Sequence, residues 1–127
     1  MEKTGAIFIT FSGNCKEALT FYRNCFGGQL QFQTFEKELG TYKELPVVTG
    51  SLISERVTIY GSDLVHNEGR KLGNYMAIFL QCQNARDRKQ LMEQLDFNNK
   101  PIFSGQLDRQ QLIELTDPFD VRWVLGV

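Results

Sequence analysis

The feature that most limits what this chain can fold into is a duplication. Asn14 and Asn84, seventy positions apart, each close a strand-like segment and open a helical one, and each helical segment is followed by short strand candidates. A repeat of that period in a chain of 127 residues points to two similar halves packed in one domain. A solenoid would need three or more units to bury its core.

In the first half, Gly5 to Phe11 is short and rich in Ile and Phe and stops at Ser12-Gly13, which predicts a strand. Asn14, with Glu17 three residues on, has the reciprocal spacing of a helix start. Cys15, Leu19, Tyr22 and Phe26 then recur at helical spacing, and Gly27-Gly28 supplies the left-handed backbone that ends a helix. Leu30 to Phe35 alternates as a strand does, the stretch around Lys37 to Pro46 is a polar excursion, and Val47–Ile53 with Arg56–Tyr60 reads as a hairpin turning near Ser54-Glu55.

The polar run from His66 to Gly73 is the expected crossover between halves. Tyr75 to Cys82 predicts a second opening strand. Asn84 caps a helix to about Leu95 with Asp87 at its third position, and Leu91, Met92 and Leu95 form the buried stripe. Its charged residues Arg86, Asp87, Arg88, Lys89 and Glu93 are read as the solvated face. Pro101–Ser104, Gln111–Thr116 and Val121–Leu125 complete the half as three strands. The expected architecture is α+β, one domain over residues 1–127 made of two βαβββ modules at about 5–63 and 74–127. Each module's sheet carries its helix on one face and leaves the other open.

Bulk properties exclude several functions. A net charge of -1 gives no field that would draw nucleic acid or an anionic membrane. No run approaches the ~20 apolar residues of a membrane span, and the start lacks a basic-then-apolar leader, so a cytoplasmic protein is expected. Cys15, Cys25 and Cys82 are odd in number and contain no CxxC pair. They read as reduced, packed thiols, not as a disulfide framework or a catalytic group.

Two stretches carry a resemblance. Asn14-Cys15-Lys16-Glu17-Ala18-Leu19-Thr20-Phe21-Tyr22 followed by Phe26-Gly27-Gly28, and Thr116-Asp117-Pro118-Phe119-Asp120-Val121-Arg122-Trp123, resemble the PhnB-like branch of the vicinal-oxygen-chelate superfamily of glyoxalase and bleomycin-resistance proteins. The resemblance covers nearly the whole chain and implies a curved, partly closed mixed sheet with helices on its outer face. One departure is visible, since Asp120 stands where the family usually has Gly.

The resemblance also implies where a metal would be held. The positions of its two histidines and its glutamate fall on Ile7, Tyr75 and Val124, and a further carboxylate position falls on the strand with Thr58 and Tyr60. Isoleucine and valine have no donor atom, so neither a metal nor another cofactor is expected, and no catalytic residue is assigned. Strand alternation then sets Ile7, Ile9 and Phe11, Tyr75, Ala77, Phe79 and Gln81, and Val124 with Arg122, on the open face. Phe8, Met76, Ile78, Leu80, Trp123 and Leu125 are expected beneath the helices.

The residues assigned to a ligand are Tyr60, Tyr75, Phe79 and Arg122, in an aromatic cup with a few polar tips. Arg122 has two readings: a clamp for a carboxylate or phosphate, or a cross-strand ion pair with Glu114. His66, the only histidine, is read as a loop residue. The expected function is small-molecule binding by a homodimer. Two alternatives stay open: a divalent-metal enzyme rebuilt around His66 with Glu55 or Glu114, and a protein-interaction module.

Overall fold

A computed structural model describes residues 5–34, 46–63, 73, 75–96 and 111–127. His66, the polar excursion after the third predicted segment, and the predicted strand at Pro101–Ser104 lie outside the described residues. The chain divides into two compact units, Met1–Lys71 and Leu72–Val127. No helix among the described residues is long and apolar enough to cross a membrane.

The N-terminal unit runs β1 (Ile7–Phe11), α1 (Cys15–Phe26), β2 (Gln29–Thr34), β3 (Val47–Ile53) and β4 (Thr58–Asp63). Its sheet has the order β1-β4-β3-β2, with β1 parallel to β4 and the other neighbours antiparallel. Helix α1 carries the chain from β1 across to β2 at the opposite edge, and β3 and β4 return antiparallel until β4 lies beside and parallel to β1. The C-terminal unit runs β5 (Ile78–Gln81), α2 (Ala85–Leu95), β6 (Leu112–Thr116) and β7 (Arg122–Gly126), with the order β5-β7-β6. Again the first strand is parallel to the last and the remaining pair is antiparallel. The duplication is therefore a duplication of topology, an α+β arrangement of two mixed sheets, neither of which closes into a barrel.

Helix α1 forms where the stripe predicts, with Cys15, Ala18, Leu19 and Tyr22 buried, and Gly27 (φ 75°) and Gly28 (φ 103°) end it. Its cap is not the expected one. Asn14 makes no cap hydrogen bond; its Oδ1 only accepts from the Ser12 N–H at 3.4 Å. The carboxylate of Asp63, at the end of β4, takes that place. Its Oδ1 accepts from the N–H groups of Gly13 (2.8 Å) and Cys15 (2.9 Å), and its Oδ2 accepts from Val47 (2.9 Å). One buried anion thus ties the helix start, β3 and β4 together, and it sits at a helix N-terminus where negative charge is favoured. In α2 the expected local arrangement does form: Asn84 Oδ1 accepts from Asp87 N–H at 2.8 Å, and Asp87 Oδ2 accepts from Gln83 N–H at 3.0 Å.

Two further expectations are corrected. Arg88 is not on a solvated face: it is buried, and its Nη1 donates to the Gln111 carbonyl just before β6. The remaining charges of that helix are exposed or half-buried, so α2 keeps its polar side except at this one position. The predicted strand from Tyr75 begins only at Ile78, leaving Tyr75, Met76 and Ala77 exposed outside the sheet.

The turn between β6 and β7 is organised by Asp117. Its Oδ1 accepts from Phe119 and Val121 N–H, and its Oδ2 accepts from the indole N–H of the fully buried Trp123 at 2.8 Å. Asp120 holds φ 66° in this turn, a left-handed conformation that explains why glycine is the easier residue there.

Candidate functional site

Register decides what each sheet offers to solvent. In the N-terminal unit, Ile7, Ile9 and Phe11 are paired with Ile59, Gly61 and Asp63, and these positions face α1. A Cβ on Gly61 would meet the Phe11 ring and the Cys15 Sγ, both at 3.0 Å, so the absence of a side chain there lets Phe11 and the helix close on the sheet. This reverses the expectation for β1. Phe11 is fully buried, and Phe8, expected beneath the helix, is 60% exposed on the open side, paired with Tyr60. The segment Ile7–Phe11 has apolar residues at both parities, so alternation alone did not reveal which face was inside.

The open face of this sheet therefore carries Phe8 and Thr10 from β1 and Thr58, Tyr60 and Ser62 from β4. Strand β3 adds Thr49, Ser51 and Ile53, and β2 adds Gln29, Gln31 and Gln33. A concavity of about 440 Å³ lies on this face, lined by Gln31, Gln33, Thr49, Ser51, Tyr60 and the Phe32 segment. A second, of about 500 Å³, lies at the sheet end between the start of β1 and the β3–β4 turn, where Glu55 and Arg56 line it with Tyr60. Of the residues assigned to a ligand, Tyr60 thus borders both hollows. The glutamines and Ser51 were missed, although three glutamines spaced by two on an amphipathic strand were a readable signal for one polar face.

In the C-terminal unit the expected parity holds for the strands. Leu80, Trp123 and Leu125 are buried, while Phe79 and Gln81 lie opposite Val124 and Gly126 on the other face. A Cβ on Gly126 would touch the Phe79 ring at 3.0 Å, which places that ring across the strand. Phe79 and Arg122 share this face, but Arg122 is engaged. Its Nε donates to Glu114 Oε1 at 2.9 Å, its Nη2 pairs with the same oxygen, and its Nη1 donates to the Met76 carbonyl at 3.3 Å. The cross-strand pair, the second of the two readings, is the one present. Tyr75 stands just ahead of β5, 87% exposed.

Of the positions that the resemblance assigns to metal ligands, Ile7 lies on β1, Val124 on β7 and Tyr75 ahead of β5. With β1 reversed, the open-face residue beside Ile7 is Phe8, which has no donor atom, Val124 has none, and Tyr75 lies outside its strand. Among the described residues, no group of three or more His, Cys, Asp or Glu is arranged to hold a metal ion. Of the cysteines, Cys15 is buried against Asp63, and burial first, then that carboxylate, pushes its thiol up to about 12 from an ordinary 9.0. A thiol held protonated is a poor nucleophile, which agrees with a packing role.

This arrangement of two modules, each with a parallel first-to-last strand pair, is the fold of the vicinal-oxygen-chelate superfamily. Solved structures that share it include a PhnB protein from Bacillus cereus, 20% identical, with a TM-score of 0.72 and 98% of each chain covered. The fosfomycin resistance protein FosX from Listeria monocytogenes, complexed with Mn(II) and 1S,2S-dihydroxypropylphosphonic acid, matches at 12% identity and a TM-score of 0.62, covering 100% of this chain and 92% of its own. A member of the glyoxalase/bleomycin resistance protein/dioxygenase superfamily from Sphaerobacter thermophilus matches at 19% identity and a TM-score of 0.54, covering 99% and 98%. No family model matches the chain, and no curated protein matches it.

Proposed function

We propose that the chain is a PhnB-like protein of the vicinal-oxygen-chelate fold that binds a small organic molecule on an open sheet face, as a homodimer, without a metal at the positions its metal-using counterparts employ. The observation that carries this reading is the hollow of about 440 Å³ on the face of the N-terminal sheet opposite α1, with Tyr60 at its edge. Ligand sites are concave and combine apolar surface with a few placed polar groups. Phe8 supports it too, since an exposed phenylalanine forgoes most of the roughly 2 kcal/mol that burial brings, a cost that a bound ligand recovers. On the C-terminal unit the Glu114 partner of Arg122 already supplies the carboxylate that an anionic ligand would bring, which favours the N-terminal face as the site.

Native mass spectrometry of the purified protein tests the whole reading. The expected spectrum is a dimer that carries no divalent ion and takes up organic molecules, with uptake reduced at least fivefold in Tyr60→Ala. One divalent ion per subunit would overturn it in favour of a metal enzyme, and undiminished uptake by Tyr60→Ala would move the site elsewhere.

A further inference from the structure

We infer that the open face of the N-terminal sheet takes an uncharged ligand whose polar groups are amides or hydroxyls and whose flat or apolar side rests on Tyr60 and Phe8. This rests on the binding reading above and adds the chemical class of the ligand and its place. The starting observation is an omission. Charged residues are 23% of the chain, yet no Asp, Glu, Lys or Arg stands at any position that β1, β2, β3 and β4 turn to this face.

A strand face exposed only to water has no reason to avoid charge, and edge strands in particular gain protection against pairing with other chains from Lys and Glu. Strand β2 is an edge of this sheet, and at its three outward positions it presents Gln29, Gln31 and Gln33. Each amide offers two donors and one acceptor oxygen on an uncharged group. Across from them, Ser51 pairs with Gln31 and Thr49 with Gln33, adding hydroxyls that both donate and accept. The side chains of Gln31, Gln33, Thr49, Ser51 and Tyr60 make no hydrogen bond to another side chain or to backbone within the described residues. Their hydrogen-bonding capacity is therefore available to a ligand.

The energetics select the ligand. A carboxylate, phosphate or ammonium brought here would shed water and, among the described strand positions of this face, meet no opposite charge, so its desolvation would go uncompensated there. An amide or hydroxyl loses hydrogen bonds to water and regains them from glutamine and hydroxyl groups at nearly even exchange. Net affinity then comes from the contact of its ring or carbon face with Tyr60 and Phe8. The charges in the described part of this unit lie off the strand positions of this face: Lys16, Glu17 and Arg23 are on α1, Asp63 points to the helix start, and Glu55 and Arg56, in the β3–β4 turn, line the separate hollow at the sheet end.

Three planar probes of nearly equal shape separate the charge classes: benzamide, benzoate and benzamidinium, each titrated into the isotope-labelled full chain and followed by two-dimensional amide NMR. The expected result is that benzamide shifts the side-chain amide signals of Gln31 and Gln33 and the backbone signals of Ser51 and Tyr60, with an affinity at least fivefold above either ion at the same residues. Equal or tighter binding of benzoate or benzamidinium at those residues would overturn the neutral-ligand inference and leave the binding site standing. If none of the three moves these signals up to its solubility limit, both the inference and the site it rests on are overturned.

Discussion

The side chain whose removal should hurt this fold most is Asp63. Its two carboxylate oxygens accept three backbone N–H groups, from Gly13, Cys15 and Val47, at 2.8 to 2.9 Å. Asp63→Ala leaves those donors without a partner. An unsatisfied buried donor costs about 1–3 kcal/mol, and the Gly13 donor, only half-buried, recovers water, so the loss is about 3–5 kcal/mol. Against a typical total of about 5–15 kcal/mol, that brings the N-terminal unit close to unfolding. Asp63→Asn keeps one acceptor oxygen for the helix start and turns an NH₂ toward Val47, so a loss of about 1–2 kcal/mol is expected there. Asn14→Ala removes only a long contact to Ser12 and should cost less than about 0.5 kcal/mol, whereas a true N-cap would cost ~1 kcal/mol. Urea unfolding followed by far-UV circular dichroism measures all three. An Asn14→Ala loss equal to or larger than that of Asp63→Asn would refute the reasoning.

Three further outcomes are expected. Because burial and Asp63 raise the Cys15 thiol from 9.0 to about 12, the unfolded chain loses that proton first as pH rises. Stability supplied by the protonated thiol is complete below pH 9 and is lost as pH climbs toward 12, so Cys15→Ala should flatten the alkaline limb of a stability–pH curve. Asp120→Gly should raise stability by about 0.5–1 kcal/mol by relieving the positive φ of the β6–β7 turn, read as a higher urea midpoint with unchanged slope. Glu114→Gln removes the carboxylate that engages Arg122; benzoate should then bind near Phe79 at least threefold more tightly than in the parent, while stability changes by less than about 1 kcal/mol, because exposed ion pairs contribute little. Unchanged benzoate binding would mean that Arg122 remains held by Met76.

The sequence was most legible where pattern and chemistry are local. The stripe Cys15, Leu19 and Tyr22, the glycine pair that ends α1, the Asn84 cap on the Asp87 N–H, and the burial of Trp123 with Leu125 all follow from residues within a few positions of one another. The candidate site was only partly legible. Tyr60, Phe79 and Arg122 lie on the faces that alternation predicts to be open, but Phe8 and Phe11 exchange the expected faces, because a phenylalanine stands at each parity of β1. Tyr75 departs from the expected strand for another reason: β5 starts three residues later than its composition suggests, and a side chain outside the ladder is not oriented by it.

What the sequence determined by itself is the duplicated order of strands and helices and the uncharged, glutamine-rich character of one strand face, since both are periodicities of the chain. What only the tertiary structure decided is which partner meets each polar group. Asp63 lies 48 residues from the helix start that it caps, and Arg88 lies 23 residues from the carbonyl to which it donates. Arg122 is drawn toward Glu114 by the register of an antiparallel pair. Such contacts depend on distances that the fold creates, and nothing in the local sequence distinguishes an aspartate that will cap a distant helix from one that faces water.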